Sequence, residues 1–331
     1  MFKHNRVYNL YPKTKTKLLT LSTAVIMLAA SIGGVLPVFF SQNAGASNQS
    51  EVVYNATPSV TPQTNYPSLG YEATSTSEFG DKIQLGGTNR VLNTVTVTMS
   101  NWAKHADYAS NPVYADATSW SLPVTLNVYG VTGNNTLAAK LASVTQTVVV
   151  PWRPASDPSC GNTSNGTGWK IGDTCYNYSG IAFNASFDLS SLSVTLPNEV
   201  IVSVAYNTQH HGSTPTGVSG PYNSLNVAVP ENQAVTTGSD IDTNAVFLNS
   251  TSSATYRDGG STGVFRNVAG WAPNGTVALT VTALAPAAPE TPTNLGFGQT
   301  GLVCGSATNT NFISPKWDAV SGASSYEYRV T

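Results

Sequence analysis

Asp240, Asp242 and Asn244 alternate along one segment, which places side-chain oxygens at every second residue. Hard cations such as calcium are held by several carboxylate, amide and carbonyl oxygens, and calcium-binding loops begin with this spacing. The remainder of such a loop is missing. Ala245 stands where the turn glycine belongs, and Thr251 where a bidentate glutamate would close the shell. Asp258, in the segment YRDGG, is the candidate third carboxylate from another loop. The cofactor expectation is therefore none, with a structural calcium on Asp240, Asp242 and Asp258 as the exception to test. His210 and His211 are adjacent just after a strand-like segment, and neighbours in extended chain point to opposite faces. They make a poor chelating pair, and a solvated loop is the expected environment.

Glycoside hydrolysis needs two carboxyl groups roughly 5–10 Å apart in a cleft. Glu78, Asp81, Asp188 and Glu199 are available, but Asp188 and Glu199 fall at strand ends, where carboxylates satisfy turns. No G-x-S-x-G, H-E-x-x-H or phosphate-cradling glycine loop occurs. The expected set of catalytic residues is empty, and an extracellular hydrolase is the second alternative. Aromatic residues are the remaining chemistry. Trp152, Trp169, Tyr176, Tyr222 and Trp271 lie in or beside loops rich in Asn, Asp and Gly. Flat rings cover the apolar face of a sugar while amides bond its hydroxyls, so these five are the candidate ligand-binding residues. The competing expectation for each ring is that it caps the core.

These residues need a scaffold, and the chain reads as β-sheet. Val95, Val97 and Met99 alternate with Thr94, Thr96 and Thr98, the period of a half-buried strand. Similar segments recur at 122–131, 141–152, 183–196, 199–209, 224–230, 244–250 and 275–285, separated by Gly-, Pro- and Asn-rich turns. Residues 135–141 offer at most one helical turn. The pattern predicts an all-β fold, an antiparallel jelly-roll-like sandwich over residues 78–285. Only 10% of the 331 residues are charged, so hydroxyls and amides must solvate the outer strand faces.

Charge is unevenly placed. Lys3, Arg6, Lys13, Lys15 and Lys17 precede an uncharged apolar run at 18–40, and Ala44-Gly45-Ala46 follows. Basic, apolar and small-residue regions in that order describe a secretory signal over 1–46, with an uncleaved transmembrane anchor at 18–40 as the alternative. Either way the rest of the chain is expected outside the cell, secreted or at the cell surface, touching a membrane only through its N-terminal segment. All acidic residues lie beyond residue 46 and no Lys/Arg cluster follows residue 17, which argues against nucleic acid as a partner. Cys160 and Cys175 enclose a polar loop that cannot hold itself by burial, and a disulfide between them fits an oxidising compartment. Cys304 is left over.

Residues 47–77 read as a flexible leader, and 286–293 as a Pro/Ala linker. Beyond the linker, Pro292, Leu295, Trp317, Tyr326, Tyr328 and Val330 stand at spacings that resemble the start of a fibronectin type III domain. The resemblance covers about 40 residues and implies an incomplete immunoglobulin-like β domain over residues 294–331. The segments EFGDKIQLGGTNRVLNTVTVTMSNW (78–102), FDLSSLSVTLP (187–197), VSVAYNTQ (202–209) and GPYNSLNVAV (220–229) resemble a recurring extracellular β module of bacterial surface and secreted proteins. That resemblance implies location and architecture, and no catalytic residues. The functional expectation is a noncatalytic exported module for adhesion, binding a glycan or a surface protein. Its alternative is a structural spacer in a longer stalk.

Overall fold

The valines and the methionine of VLNTVTVTMSN fall on one face and the threonines on the other, and a strand forms there. The computed structural model describes residues 49–57, 67–133, 136–163, 166–229, 235–250 and 264–286, together with 293, 296–297, 315–321 and 323. The chain opens with β1 (Glu51–Asn55), β2 (Ser68–Gly70), β3 (Thr76–Gln84), β4 (Val91–Asn101), β5 (Ser119–Val131) and β6 (Leu137–Pro151). Four short strands follow, β7 (Asn162–Thr163), β8 (Gly166–Thr167), β9 (Trp169–Ile171) and β10 (Thr174–Tyr176). Next come β11 (Ile181–Asp188), β12 (Glu199–Ala205), β13 (Leu225–Ala228), β14 (Ser239–Asp240), β15 (Ala245–Ser250), β16 (Arg266–Ala269) and β17 (Leu279–Leu284).

Two antiparallel sheets form the sandwich that the alternation predicts. The first runs β1-β17-β4-β13-β2, with β11 on the other side of β4. The second runs β16-β15-β3-β12-β5-β6, with β14 also on β3. Val95, Val97 and Met99 of the first sheet and Phe79, Ile83, Leu126, Val202 and Leu248 of the second belong to one buried cluster. Burying each such side chain stabilises the fold by about 1.5–3 kcal/mol. On the outer face of the first sheet the threonines pair across strands. Thr94 Oγ1 meets Thr282 Oγ1 at 2.7 Å, and Thr98 Oγ1 donates to Asn184 Oδ1 at 2.9 Å. Hydroxyls and amides thus satisfy one another where charges are scarce.

Residues 47–77 are not a leader in their described part. Residues 51–55 and 68–70 are strands of the first sheet, and Val53, Tyr54, Leu69 and Tyr71 are fully buried. The Tyr71 ring stacks on Tyr206 with centroids 3.9 Å apart, and its hydroxyl donates to the Val204 carbonyl at 2.6 Å. Nor is there a helical turn at 137–141, since Leu137 pairs with Val131 and Lys140 with Tyr129. Strand β3 was not legible as a strand because Gly80, Asp81 and Lys82 interrupt its alternation. Gly80 is required there, as a Cβ would lie 2.2 Å from the Val202 carbonyl of the adjacent strand.

The signal or anchor segment 1–46, Cys304 and Asp258 lie outside the described residues. No helix among the described residues is long and apolar enough to cross a membrane. Of the segment 294–331, the structure describes β18 (Gly296–Phe297) paired with β19 (Pro315–Lys316) and a few residues after them.

Candidate functional site

The strand registers bring the three longest connections to one end of the sandwich. Ser119 lies opposite Pro151, and Asn101 lies opposite both Ile181 and Leu225. Residues 102–118, 152–180 and 206–224 therefore leave the sheets side by side. Asn101 ties the two sheets here by donating from Nδ2 to the Pro151 carbonyl at 2.7 Å. The connections at the opposite end, such as 85–90 and 189–198, are shorter.

The three long loops brace one another. Trp152 is half-buried, stacked on Tyr108 at 5.9 Å and met edge-on by Tyr114 at 5.8 Å, with His105 at 5.5 Å. Its Nε1 donates to the Ala117 carbonyl at 3.1 Å. Tyr108 OH donates to the Gly220 carbonyl at 3.1 Å and links the first loop to the third. Arg153 is buried with its guanidinium 5.0 Å from the Tyr178 ring centre, and Tyr178 meets Trp102 edge-on at 5.6 Å. Cys160 and Cys175 are joined by the expected disulfide, with Cα atoms 5.2 Å apart. Around these rings Val113 (75% exposed), Val218 (64%) and Ile171 reach solvent. Two ion pairs form at this end, Lys104 with Asp107 at 3.1 Å and Lys170 with Asp157 at 2.8 Å, while Asp116 and Asp173 are exposed.

The Asp157 carboxyl is held down to about 2, first by the Lys170 ammonium and then by the Ser159 hydroxyl and amide. A carboxylate lowered in the folded state adds stability above its unfolded value and loses it as pH falls through the folded value. An NMR titration of the Asp157 carboxyl is expected to show a midpoint of about 2. Lys170→Met should move that midpoint up toward the ordinary aspartate range. An unmoved midpoint would remove Lys170 as the cause.

The five rings expected to form a ligand surface do not converge. Trp152 and Tyr176 are half-buried at the loop end. Trp169 is fully buried, stacked on Tyr176 at 4.7 Å, and its Nε1 donates to the Ser179 carbonyl at 2.9 Å. Tyr222 is buried inside the third loop and accepts from Thr216 Oγ1 at 2.8 Å. Trp271 packs on Phe79 at 5.5 Å, within the main core. These three rings are corrected from surface to core, because each found an interior apolar contact. Tyr108 and Tyr114 are not among the five rings singled out from the sequence. Their meeting with Trp152 depends on how loops 102–118 and 152–180 pack together.

The carboxylates considered for hydrolysis are dispersed. Glu78 accepts from Asn127 Nδ2, Tyr129 OH and Ser203 Oγ at 2.9, 2.9 and 2.6 Å. Asp188 caps a turn through the Ser190 amide at 3.0 Å, while Glu199 is exposed at the start of β12. His210 is exposed, and its Nδ1 meets Glu72.

Asp81 has a different environment. Flanked on its strand by the core residues Phe79 and Ile83, it is fully buried. Strand β3 pairs with β15 up to Gly80 and with β14 from Ile83, and the segment after β14 crosses the gap. This brings Asp240 and Asp242 to Asp81, with one carboxylate oxygen from each residue lying within 4.8 Å of the others. The spacing of Asp240 and Asp242 thus pointed to a real cluster, but its third described member is Asp81. Asn244 turns aside to accept from the Ala272 amide at 3.0 Å. Burial pushes the Asp81 carboxyl well above its usual range, and Asp240 adds to this. Burial also raises Asp240 and Asp242, opposed by the Thr276 hydroxyl and the Lys82 ammonium respectively. The Tyr54 phenol is raised by its burial and by all three aspartates.

The chain matches no protein-family model, no curated protein and no solved structure.

Proposed function

We propose that the chain is a noncatalytic exported module, secreted or held at the cell surface, that binds a neutral ligand with its three-loop end. The observation that carries this reading is the set of ordered loops at 102–118, 152–180 and 206–224. Loops longer than about 12–15 residues without strands of their own, as at 102–118 and 206–224, are uncommon in compact domains and are usually functional where they are not linkers. A rigid sheet that presents several such loops together is a common arrangement for recognition. Export is supported by the order of basic, apolar and small residues over 1–46. The Cys160–Cys175 disulfide suits the same oxidising compartment.

The chemistry of this end suits an uncharged partner. Tyr108, Tyr114 and Trp152 offer ring surface, Val113 and Val218 offer exposed aliphatic surface, and the ammonium groups of Lys104 and Lys170 are each engaged by an aspartate. A glycan is the ligand class to test first, because rings and side-chain amides are what sugar recognition uses. The full chain is expected to bind one or more polysaccharides saturably on a glycan array. Tyr108→Ala and Tyr114→Ala should each weaken that binding about tenfold, or about 1.4 kcal/mol. Thermal melts of the same variants keep a folding defect apart from a binding defect. If the folded chain binds no glycan, the alternative gains: a structural spacer within a longer surface stalk. The burial of Trp169, Tyr222 and Trp271 supports that second reading, since it assigns most of the candidate rings to stability.

A further inference from the structure

We propose that Asp81, Asp240 and Asp242 form a binding site for a divalent oxygen-preferring cation, and that its occupant is calcium. The site sits in the notch on β3 between its pairings with β14 and β15. Its geometry fits one shared ion. Calcium lies about 2.3–2.6 Å from its oxygen ligands, so two ligands of one ion are at most about 5 Å apart. The three carboxylate oxygens lie within 4.8 Å of one another.

A second observation points to a ligand. Asp81 Oδ1, Asp242 Oδ1 and the Tyr54 hydroxyl are buried and have no hydrogen-bond partner among the described residues. Asp81 and Tyr54 are both 0% exposed. Buried polar atoms without a partner are costly and uncommon. Tyr54 comes from β1 in the facing sheet, and its hydroxyl feels the charge of all three aspartates. Two of these unsatisfied oxygens, on Asp81 and Asp242, belong to members of the cluster itself.

Several of the carboxylate oxygens are already fixed in place. Asp81 Oδ2 accepts from the Val277 amide at 3.1 Å. Asp240 accepts from Thr276 Oγ1 at 2.6 Å and from the Asp242 amide at 3.1 Å. Asp242 Oδ2 faces Asn267 Nδ2 at 3.2 Å and Lys82 Nζ at 3.4 Å. Outer contacts of this kind hold ligand oxygens in position before an ion arrives. Charge selects a dication: among the described residues, three carboxylates stand against the ammonium of Lys82. Ligand type selects a hard ion, because every ligand offered is oxygen. Calcium is preferred to magnesium because it tolerates an irregular shell completed by backbone carbonyls and water, whereas magnesium demands near-octahedral geometry.

The test uses the full chain, freed of metal with a chelator and titrated with calcium chloride alone. Isothermal titration calorimetry should show one saturable site per chain, and the melting temperature should rise with calcium in the same range. Asp242→Asn is expected to weaken calcium binding at least about tenfold. In the chelated state both Asp81→Asn and Asp242→Asn should melt no lower than the parent, because each relieves repulsion among crowded carboxylates. A purely structural role for the Lys82–Asp242 pair requires the reverse, a loss of stability in Asp242→Asn with or without calcium. The proposal is overturned by the absence of calcium heat and melting shift in the parent. It is equally overturned by a calcium response that both variants retain in full. A response to magnesium chloride as strong as that to calcium would overturn calcium as the occupant.

Discussion

A chain cut to residues 78–285 is expected not to fold, although the strand alternation visible in the sequence starts there. Strand β1 lies along β17, from Glu51 opposite Ala283 to Asn55 opposite Thr280. Strand β2 lies along β13, from Ser68 opposite Ala228 to Gly70 opposite Asn226. Removing both strands exposes two ladder edges of the first sheet and empties the core positions of Val53, Tyr54, Leu69 and Tyr71. At about 1.5–3 kcal/mol per buried side chain, the loss is on the order of 6–12 kcal/mol. That is comparable to the whole stability of a typical domain, roughly 5–15 kcal/mol. The cut also removes the ring that stacks on Tyr206. Circular dichroism melts and the dispersion of amide NMR signals should show no cooperative unfolding for 78–285, and clear cooperativity for a chain beginning at residue 47. A cooperative melt of the shorter chain would show that β1 and β2 are accessory. Binding experiments on the shorter chain would report an unfolded polypeptide.

What was legible in the sequence follows from what local pattern can carry. The strands with valine, threonine or leucine alternation were visible because one face is core and the other is solvated. Strands β1 and β2 were hidden because they are five and three residues long, too short to display a period among Asn, Thr and Pro. Strand β3 was hidden for another reason. It is central, buried along both faces, and carries Gly80, Asp81 and Lys82 where an apolar run would be expected. The same substitution of charge for hydrocarbon makes the acid cluster. Asp240 and Asp242 were marked by their spacing, whereas Asp81 joins them through sheet pairing across a long stretch of chain. The disulfide was readable from a polar loop between two cysteines. The burial of loop aromatics was not, because a ring in a glycine-rich segment looks exposed until another loop is known to cover it.

Trp169 shows what that difference means for the search for a ligand. Trp169→Ala is expected to remove about 3–5 kcal/mol of stability, as for other buried aromatic truncations. It would also leave the Ser179 carbonyl without the donor that now sits at 2.9 Å. Trp169 lies outside the main core cluster, on the short hairpin of β9 and β10 beside the Cys160–Cys175 disulfide. The loss should therefore fall first on loop 152–180. Hydrogen exchange should quicken most between residues 156 and 179, while β4, β5 and β12 keep their protection. Trp169→Phe should cost less, since it keeps the stack on Tyr176 and gives up the indole donor. If Trp169 were a ligand platform, its removal would spare exchange rates throughout and abolish binding alone. If it is the centre of a small core under the loop, its removal alters binding only by melting the surface that Tyr108 and Trp152 help to build. For that reason a binding defect is diagnostic at Tyr108 and Tyr114, whose half-buried rings can be removed with less damage, and ambiguous at Trp169.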